Sequence, residues 1–417
     1  MKIWILQTGE PLHIDDYGLR AMRAINLSNE LVRNGHEVTL WSSNFDHFSK
    51  RQRFAEAKTV MFSNALKIRL ISSRGYRNHI GLGRLIDHAQ LAWNLRKMLK
   101  TETPPDVAFI GYPPIEIAWI MSRWLDKNKT PFILDVKDAW PEVLIKAFPK
   151  AIKPIACIFF SPYQKMFRDS LKRAIGISSI TDQFLEWSLE QIQRGRSIND
   201  VVVPLTSPDV KFSESEVANS KAFWDVLGIK ESGEKRIFFV GTLNNLYDFD
   251  PVILAAKVLG IQLVIAGDGP QRSELLQKTL KMENVFLPGW ITSCQSVILA
   301  QRSNFAVAPI KSRSDFELSI PNKFIDAFRH GKPMLTSIKG ISCDLIRDNS
   351  AGLIFCLEDV NDLSVKLASV INDEKAITNM SESARNLYFD RFEFQSVYGK
   401  LILQLENLAE MSPTREQ

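Results

Sequence analysis

Short apolar runs alternate along the chain with longer segments in which apolar residues recur at helical spacing. The first run, IWILQT (3–8), predicts a strand, and the following LRAMRAINLSNELVRNG predicts a helix that ends at Gly35. HEVTLWSS (36–43), DVAFIGY (106–112) and PFILDVKDAWPE (131–142) continue the pattern as further strands. Strands that alternate with helices predict a parallel α/β sheet with helices on both faces.

The same alternation restarts in the second half of the chain. Its strands are predicted at KRIFFVGTLNN (235–245), IQLVIAGDGP (261–270), NVFLPGWI (284–291), FAVAPI (305–310) and PMLTS (333–337). The polar stretch 207–222, rich in Ser, Glu and Asn, predicts a linker. We therefore expect two doubly wound Rossmann-like domains, at 1–206 and 223–391, that face a central cleft. The segment 392–417 predicts an amphipathic helix that packs on one of them, with the first domain as the candidate.

The stretch SIPNKFIDAFRHGKP (319–333) combines a short helix with ligand-binding chemistry. Pro321 suits a first helical turn, and Gly331 with Pro333 is a typical stop, so a helix is predicted over 321–330. Lys323 and Asp326 project from one of its faces. A helix start with free N–H groups and a lysine suits a phosphate, and a carboxylate one turn later suits a sugar diol. The alternative is a solvated ion pair without a ligand.

Composition narrows the class. The chain has 417 residues, 45% hydrophobic and 24% charged, which is typical of a globular protein with two or three domains. Its four cysteines lie far apart and predict neither a zinc site nor a disulfide framework, so a reducing cytoplasm is expected. The start MKIWILQTGEP predicts a core strand and no signal peptide, and no run reaches the ~18 apolar residues of a transmembrane helix.

Positive charge is concentrated between Glu142 and Arg173. That segment holds seven Lys or Arg residues against Glu142 and Asp169, an excess equal to the formal net charge of +5 of the whole chain. It also contains the apolar AIKPIACIFFSPY (151–163). Cations beside an apolar patch are typical of a segment that lies on an anionic membrane surface. A buried helix with a solvated rim is the equal alternative.

The motifs of the second half resemble a known family. FVGTL, LVIAGDGP, NVFLPGWI, VAPI, PNKFIDAFRHGKP, KGISCDLI and SAGLIF follow one another between residues 235 and 360. In order and spacing they resemble the carboxyl-terminal domain of the retaining glycosyltransferases of family four, which have the GT-B fold. GEPLHID, NGHEVTLWSS and LDVKDAWPE resemble the branch of this family that builds bacterial capsular polysaccharides and the O-antigen of lipopolysaccharide.

The resemblance implies a set of site residues. Those expected at the donor are Gly241, Thr242, Gly267, Asp268, Gly269, Pro270, Trp290, Ile291, Glu317, Ser319, Pro321, Asn322, Lys323 and Asp326. Those expected at the acceptor are Gly9, Glu10, Asp15, Asp16 and Tyr112. Lys323, Lys137 and Asp138 are the catalytic candidates, with Lys137 at the position of a family histidine. Asp326 corresponds to a family glutamate that contacts the nucleotide ribose. The family glutamate at the donor sugar, eight positions earlier, falls on Leu318, beside Glu317 and Asp315. Lys311 or Arg313 would assist Lys323 at the phosphates.

The function implied is transfer of a hexose or N-acetylhexosamine from a nucleotide diphosphate sugar, with UDP-sugar expected. The acceptor implied is a lipid-linked glycan of cell-surface polysaccharide synthesis, at the inner face of the membrane. We expect retention of configuration, no cofactor, no metal and no nucleic-acid partner. Two alternatives stay open: a nucleotide-sugar epimerase of the same architecture, and a non-catalytic partner subunit, which the departures at Leu318 and after Gly241 motivate.

Overall fold

The structure is a computed structural model that describes residues 1–15, 20–77, 81–146, 148–231, 233–311 and 317–411. Contacts divide the chain into two compact units, Met1–Pro208 with Gln395–Gln417, and Asp209–Phe394. Each unit is built on a predominantly parallel sheet. The predicted α/β class with two doubly wound units is therefore confirmed.

The first unit contains most of the elements. They are β1 (Lys2–Leu6), α1 (Arg23–Arg33), β2 (Glu37–Ser43), β3 (Phe45–Asp46), β4 (Arg51–Gln52), β5 (Thr59–Met61), β6 (Leu66–Ile71), α2 (Leu82–Met98), β7 (Val107–Tyr112), α3 (Ile115–Lys127), β8 (Phe132–Val136), α4 (Glu142–Lys146), α5 (Lys153–Arg173), β9 (Gly176–Ser179), α6 (Asp182–Glu190) and β10 (Val201–Val202). The sheet has the order β10-β9-β8-β7-β1-β2-β6-β5, in which only β5 is antiparallel to its neighbour.

The central strands of this sheet are buried. β7 is buried along its whole length, as is β8, because helices cover both faces. β1 lies between β2 and β7, with Ile3 opposite both Val38 and Val107. The chain order reverses on the two sides of β1, and at such a switch point the loops after the strands diverge and leave room for a ligand.

The second unit repeats this plan on a smaller sheet. Its elements are α7 (Glu214–Val226), β11 (Arg236–Val240), α8 (Asp250–Leu259), β12 (Gln262–Ala266), α9 (Arg272–Thr279), β13 (Val285–Gly289), α10 (Ser293–Gln301), β14 (Phe305–Ala308), α11 (Asn322–Arg329), β15 (Met334–Thr336), α12 (Ile341–Asp348), β16 (Gly352–Ile354), α13 (Asp362–Ala368) and α14 (Glu374–Arg391). The six parallel strands have the order β13-β12-β11-β14-β15-β16, with the switch point between β11 and β14. The predicted helix at 321–330 is α11, one residue shorter at each end.

The segment predicted as a linker, 207–222, is different in the structure. Its second half belongs to α7, which starts with a capping box between Ser213 and Glu216. The helix is held to the second unit by Trp224, whose side chain is fully buried and whose indole N–H donates to the carbonyl of Gln295 at 2.9 Å. Burial of one large aromatic side chain explains why this polar stretch folds as a helix.

The last helix, α15 (Phe394–Glu410), packs against the first unit from Gln395 onward. Leu401, Leu405 and Leu408 bury one face of it, and Glu406 pairs with His36 at 2.9 Å. No helix within the described part of the chain is both long enough and apolar enough to cross a membrane.

Candidate active site

Three glycine turns follow strands β11, β12 and β13 at the carboxyl edge of the second sheet. Gly241 donates its N–H to Ala266 at 2.9 Å, and Gly267 donates to Gly289 at 2.7 Å. Gly241 and Gly267 have φ angles of +149° and +135°, which disfavour any other residue. A side chain at Gly267 would also collide with the carbonyl of Gly241. The turns are therefore packed backbone against backbone at the carboxyl edge of the sheet, which is the end where ligands bind in such folds.

Lys323 reaches this edge from the second residue of α11. Its ammonium donates to the carbonyl oxygen of Val240, the last residue of β11, and lies 4.2 Å from the centre of the Phe239 ring. The Tyr247 ring lies 5.5 Å away on another side. A cation held by a carbonyl dipole and two aromatic faces is kept at the glycine turn, beside the start of α11.

The sequence of α11 explains its position. Pro321 caps the helix with φ −62° and ψ 144°, and Phe324, Ala327 and Phe328 bury one face. Gly331, at φ +60°, ends it. Because that face is fixed in the core, the first turn of the helix is fixed as well, with its positive dipole end beside Lys323. Within this turn the N–H of Phe324 donates to the carbonyl of Pro321 at 2.9 Å. The buried Oδ1 of Asn322 has no hydrogen-bond partner among the described residues.

The other predicted donor residues occupy the same edge with different exposure. Thr242, Asp268 and Pro270 are exposed, Trp290 is 71% exposed, and Gly269, Glu317, Ser319 and Asp326 are half-buried. The carbonyls of Glu317 and Ser319 accept hydrogen bonds from Ile341 N and Ser342 Oγ, each at 2.9 Å, which ties this loop to the start of α12. The side chain of Ile291, also predicted at the donor, belongs to the hydrophobic core. Arg313 and Asp315 lie outside the described residues.

A pocket of about 300 Å³ lies within the first unit, where β1, β2, β7 and β8 end. Gly9, Glu10, Lys137 and Asp138, all predicted site residues, line it together. The ammonium of Lys137 pairs with Glu10 and donates to Gln7 Oε1 at 2.9 Å. Glu10 also accepts from Ala24 N at 2.7 Å, at the start of α1. These bonds fix a cation and a carboxylate side by side in the pocket.

Two predicted acceptor residues make buried contacts within the first unit. Asp15 accepts from Leu12 N at 2.8 Å and from Arg53 at 2.7 and 2.6 Å, and both side chains of this ion pair are buried. Tyr112 is fully buried, and its hydroxyl donates to the carbonyl of Trp140 at 2.6 Å. Asp16 lies outside the described residues.

The far wall of the pocket was missed by the sequence interpretation. It is formed by His47, Tyr76, Arg84, Asp87 and His88, from a segment that the family resemblance does not cover. Burial, and then the charges of Arg84 and His47, lower the pKa of His88 to about 3. Arg84 and His88 are four residues apart at the start of a helix, and this spacing was the one local feature of the sequence that indicated that their side chains lie next to each other.

A buried carboxyl group lies behind this wall. Burial raises the pKa of Glu116 to about 7, and its Oε2 lies 3.7 Å from Nδ1 of His88. Tyr163 of α5 hydrogen-bonds to the same carboxyl group. Across the described ranges, no group of three or more His, Cys, Asp or Glu side chains is arranged to hold a metal ion.

Residues 224–387 match the family model described as Glycosyl transferases group 1. The matched residues all lie within the second unit, Asp209–Phe394. Among curated proteins, none matches the sequence of the chain.

Solved structures resemble the whole chain. Sucrose-phosphate synthase from Thermosynechococcus elongatus has a TM-score of 0.71 at 13% identity and covers 99% of this chain and 100% of its own. Anabaena Alr3699/HepE in complex with UDP has a TM-score of 0.63 at 13% identity, covering 97% and 99%. WaaG, a glycosyltransferase involved in lipopolysaccharide biosynthesis, has a TM-score of 0.63 at 15% identity, covering 97% and 99%. At these identities the likeness establishes the fold, which is GT-B.

Proposed function

We propose that this chain transfers a hexose or N-acetylhexosamine from a UDP-sugar to a lipid-linked glycan, with retention. The GT-B fold of the chain and the match of its second unit to the glycosyl transferases group 1 model support the proposal. The observation that carries the proposal is the position of Lys323. Its ammonium lies at the glycine turn after β11 and beside the N-terminal end of α11. A cation combined with the positive end of a helix dipole suits a diphosphate.

In the proposed donor complex the diphosphate lies at the start of α11, and Lys323 neutralises it. Negative charge grows on the diphosphate as the bond to the sugar breaks, so a cation already in place lowers the barrier. Asp326, one turn further along α11, would accept hydrogen bonds from the ribose hydroxyls. The related HepE structure holds UDP, which supports a uridine nucleotide as the first one to test.

The proposed acceptor lies in the pocket of the first unit. Glu10 and Lys137 are fixed there by each other and by Gln7, so they can orient a sugar hydroxyl group without first having to become ordered. Retention is proposed through front-face displacement, in which orientation of the two substrates and stabilisation of the leaving diphosphate replace a dedicated base. Asp138 lines the same pocket and is the second catalytic candidate there.

Membrane attachment is proposed through α5. Ile155, Ile158 and Phe159, which are 68%, 76% and 55% exposed, share one face of this helix. Lys146, Lys150 and Lys153 lie along the same part of the chain. An exposed apolar face beside lysines favours an anionic lipid surface, and such a surface would bring the first unit to a lipid-linked acceptor at the inner face of the membrane.

A product assay tests the proposal. Purified protein is incubated with a panel of UDP-sugars, with and without a membrane extract, and both free UDP and the sugar are followed. Release of UDP that requires the extract, with the sugar moved to lipid, is the expected result. An altered UDP-sugar without extract would indicate an epimerase, and UDP-sugar that stays intact under all conditions would indicate a non-catalytic subunit.

A further inference from the structure

Two cations converge on the ring of Tyr76 at the far wall of the pocket in the first unit. Arg84 Cζ lies 5.5 Å and Lys50 Nζ lies 4.6 Å from the centre of this ring. Arg84 also lies over the Trp140 ring, 4.7 Å from its centre. Burial and then the charge of Arg84 lower the pKa of Lys50, while Asp46 opposes the shift. The two cations therefore repel each other, and an anion near Arg84 would relieve that repulsion.

Each of these side chains is held by its surroundings. The Nε of Arg84 donates to Nε2 of His88 at 3.4 Å. For Nε2 to accept this bond, the neutral imidazole of His88 must carry its proton on Nδ1, which lies 3.7 Å from Oε2 of Glu116. Tyr76 is fixed by a hydrogen bond of 2.5 Å between its hydroxyl and Nδ1 of His47. The wall is therefore rigid, and Arg84 need not lose much conformational freedom when it binds a ligand.

Three carboxylates near the pocket have hydrogen-bond donors or a cation of their own. Asp46 accepts from Phe48 N at 3.0 Å and Ser49 N at 2.9 Å, within the turn that carries Lys50. Asp87 accepts from Gly75 N at 2.6 Å, and burial raises its pKa. Glu10 pairs with Lys137. The positive charge of Arg84 also acts on the carboxyl groups of Asp87 and Glu116, where it lowers each pKa against the effect of burial.

We infer that Arg84 is the centre of a binding site for an anionic group of the acceptor, a phosphate or a sugar carboxylate, with Lys50 adding to the positive potential. A guanidinium group matches the paired oxygens of either anion. The pocket volume of about 300 Å³ suits one charged sugar unit, and Glu10 and Lys137 line the same pocket. The inference rests on the proposed function in one respect, which is that it identifies the anionic ligand as part of the acceptor.

Ligand-observed NMR titration of the full chain tests the site without any transfer reaction. The probes are methyl glucuronide for the carboxylate, glucose 1-phosphate for the phosphate and methyl glucoside as the neutral sugar. At least one anionic probe should bind about tenfold more tightly than the neutral sugar. The probe that binds more tightly identifies the anion. Equal binding of all three would overturn the inference.

Variants locate the binding. Arg84→Gln should weaken the anionic probe about tenfold or more, Arg84→Lys should weaken it less, and Lys50→Gln should have a smaller effect than Arg84→Gln. Arg96→Gln is the matched control, since Arg96 is exposed further along α2 and does not line the pocket. Unchanged affinity in both Arg84 variants would overturn the inference, and Arg84→Lys alone decides if Arg84→Gln does not fold.

UDP is titrated into the same preparations. Binding of UDP without binding of any anionic probe removes the Arg84 site and leaves the proposed donor chemistry intact. Binding of an anionic probe that depends on Arg84, without binding of UDP, supports the site and removes the proposed function.

Discussion

The ammonium group of Lys323 occupies the space that a side chain on residue 241 would need. A Cβ atom built on Gly241 would collide with Nζ of Lys323, and the φ angle of +149° at Gly241 is itself unfavourable for other residues. The glycine turn after β11 and the lysine on α11 therefore depend on each other, although they lie far apart in the sequence. A side chain at residue 241 would therefore require the Lys323 ammonium group to shift from its present position on the carbonyl of Val240.

Replacing Gly241 by Ala should displace Lys323 and weaken UDP binding. We expect Gly241→Ala and Lys323→Ala each to lower UDP affinity about tenfold, and the double variant to lose little more than either one. Isothermal titration of UDP into the three variants measures this. Gly228→Ala is the control, because Gly228 has a φ of +77° but nothing within 4 Å of its Cβ position. Additive losses in the double variant would contradict the dependence.

Asp326→Asn should cost much of the UDP affinity, and Asp326→Glu should cost less. A carboxylate can accept two charge-assisted bonds from the ribose, each worth roughly 1.5–3 kcal/mol, whereas an amide brings donors against hydroxyls. Glutamate keeps the charge and adds one methylene. UDP titration of both variants decides, with Asp344→Asn, an exposed change on α12, as the control. Equal dissociation constants would remove Asp326 from the site.

The alternation of strands and helices was predictable because buried parallel strands are continuous apolar runs, as Val107–Tyr112 is. The contact between Lys323 and Val240 was beyond such reasoning, since a pattern of local periodicity says nothing about which distant carbonyl a side chain will meet. The helix α7 was missed for a related reason. Its stability depends on the burial of Trp224 against α10, a tertiary contact, although the capping box of Ser213 and Glu216 was visible in the sequence.

The site residues of the first unit were predicted from the family resemblance. Gly9, Glu10 and Lys137, the last at the position of a family histidine, line one pocket. Asp15 was predicted from the same resemblance, and its ion pair with Arg53 could not be foreseen, because Arg53 belongs to a segment whose path has no sequence signature. Arg84 lies on α2, a helix that periodicity predicts, but periodicity does not show that Arg84 lines the pocket.

The buried carboxyl group of Glu116 should make stability depend on pH. Its pKa is about 7 in the folded protein and near 4.5 when exposed, so the folded state binds the extra proton between these values. Stability from this group is therefore lost as the pH rises from about 4.5 to about 7. Glutamine does not titrate, so the Glu116→Gln variant does not lose stability in this way. Between about pH 4.5 and 7 its free energy of unfolding should therefore rise relative to that of wild type, by at most about 3 kcal/mol.

Urea unfolding of wild type and Glu116→Gln at several pH values measures the difference. His88, whose pKa is lowered to about 3, changes stability in the opposite direction between about 3 and 6.5, and it does so in both proteins, so the comparison cancels its direct contribution. Glu142→Gln, a change at a less buried carboxyl group on α4, should give a smaller difference. A difference between Glu116→Gln and wild type that does not vary with pH would mean that Glu116 titrates normally.

Removing the apolar face of α5 should release the protein from anionic vesicles. Ile155→Ser with Ile158→Ser takes two largely exposed isoleucines from the surface that we propose enters the lipid, and partitioning should fall about tenfold or more. Added salt should weaken binding of the wild type, because it screens the attraction of Lys150 and Lys153 to the lipid headgroups. Ile198→Ser is the matched control, since Ile198 is 91% exposed in a loop of the same unit.

Sedimentation with vesicles of mixed neutral and anionic lipid measures partitioning. Because both changes lie on solvent-facing positions, the melting temperature should hold, and vesicle binding that persists in the double variant would show that α5 faces water.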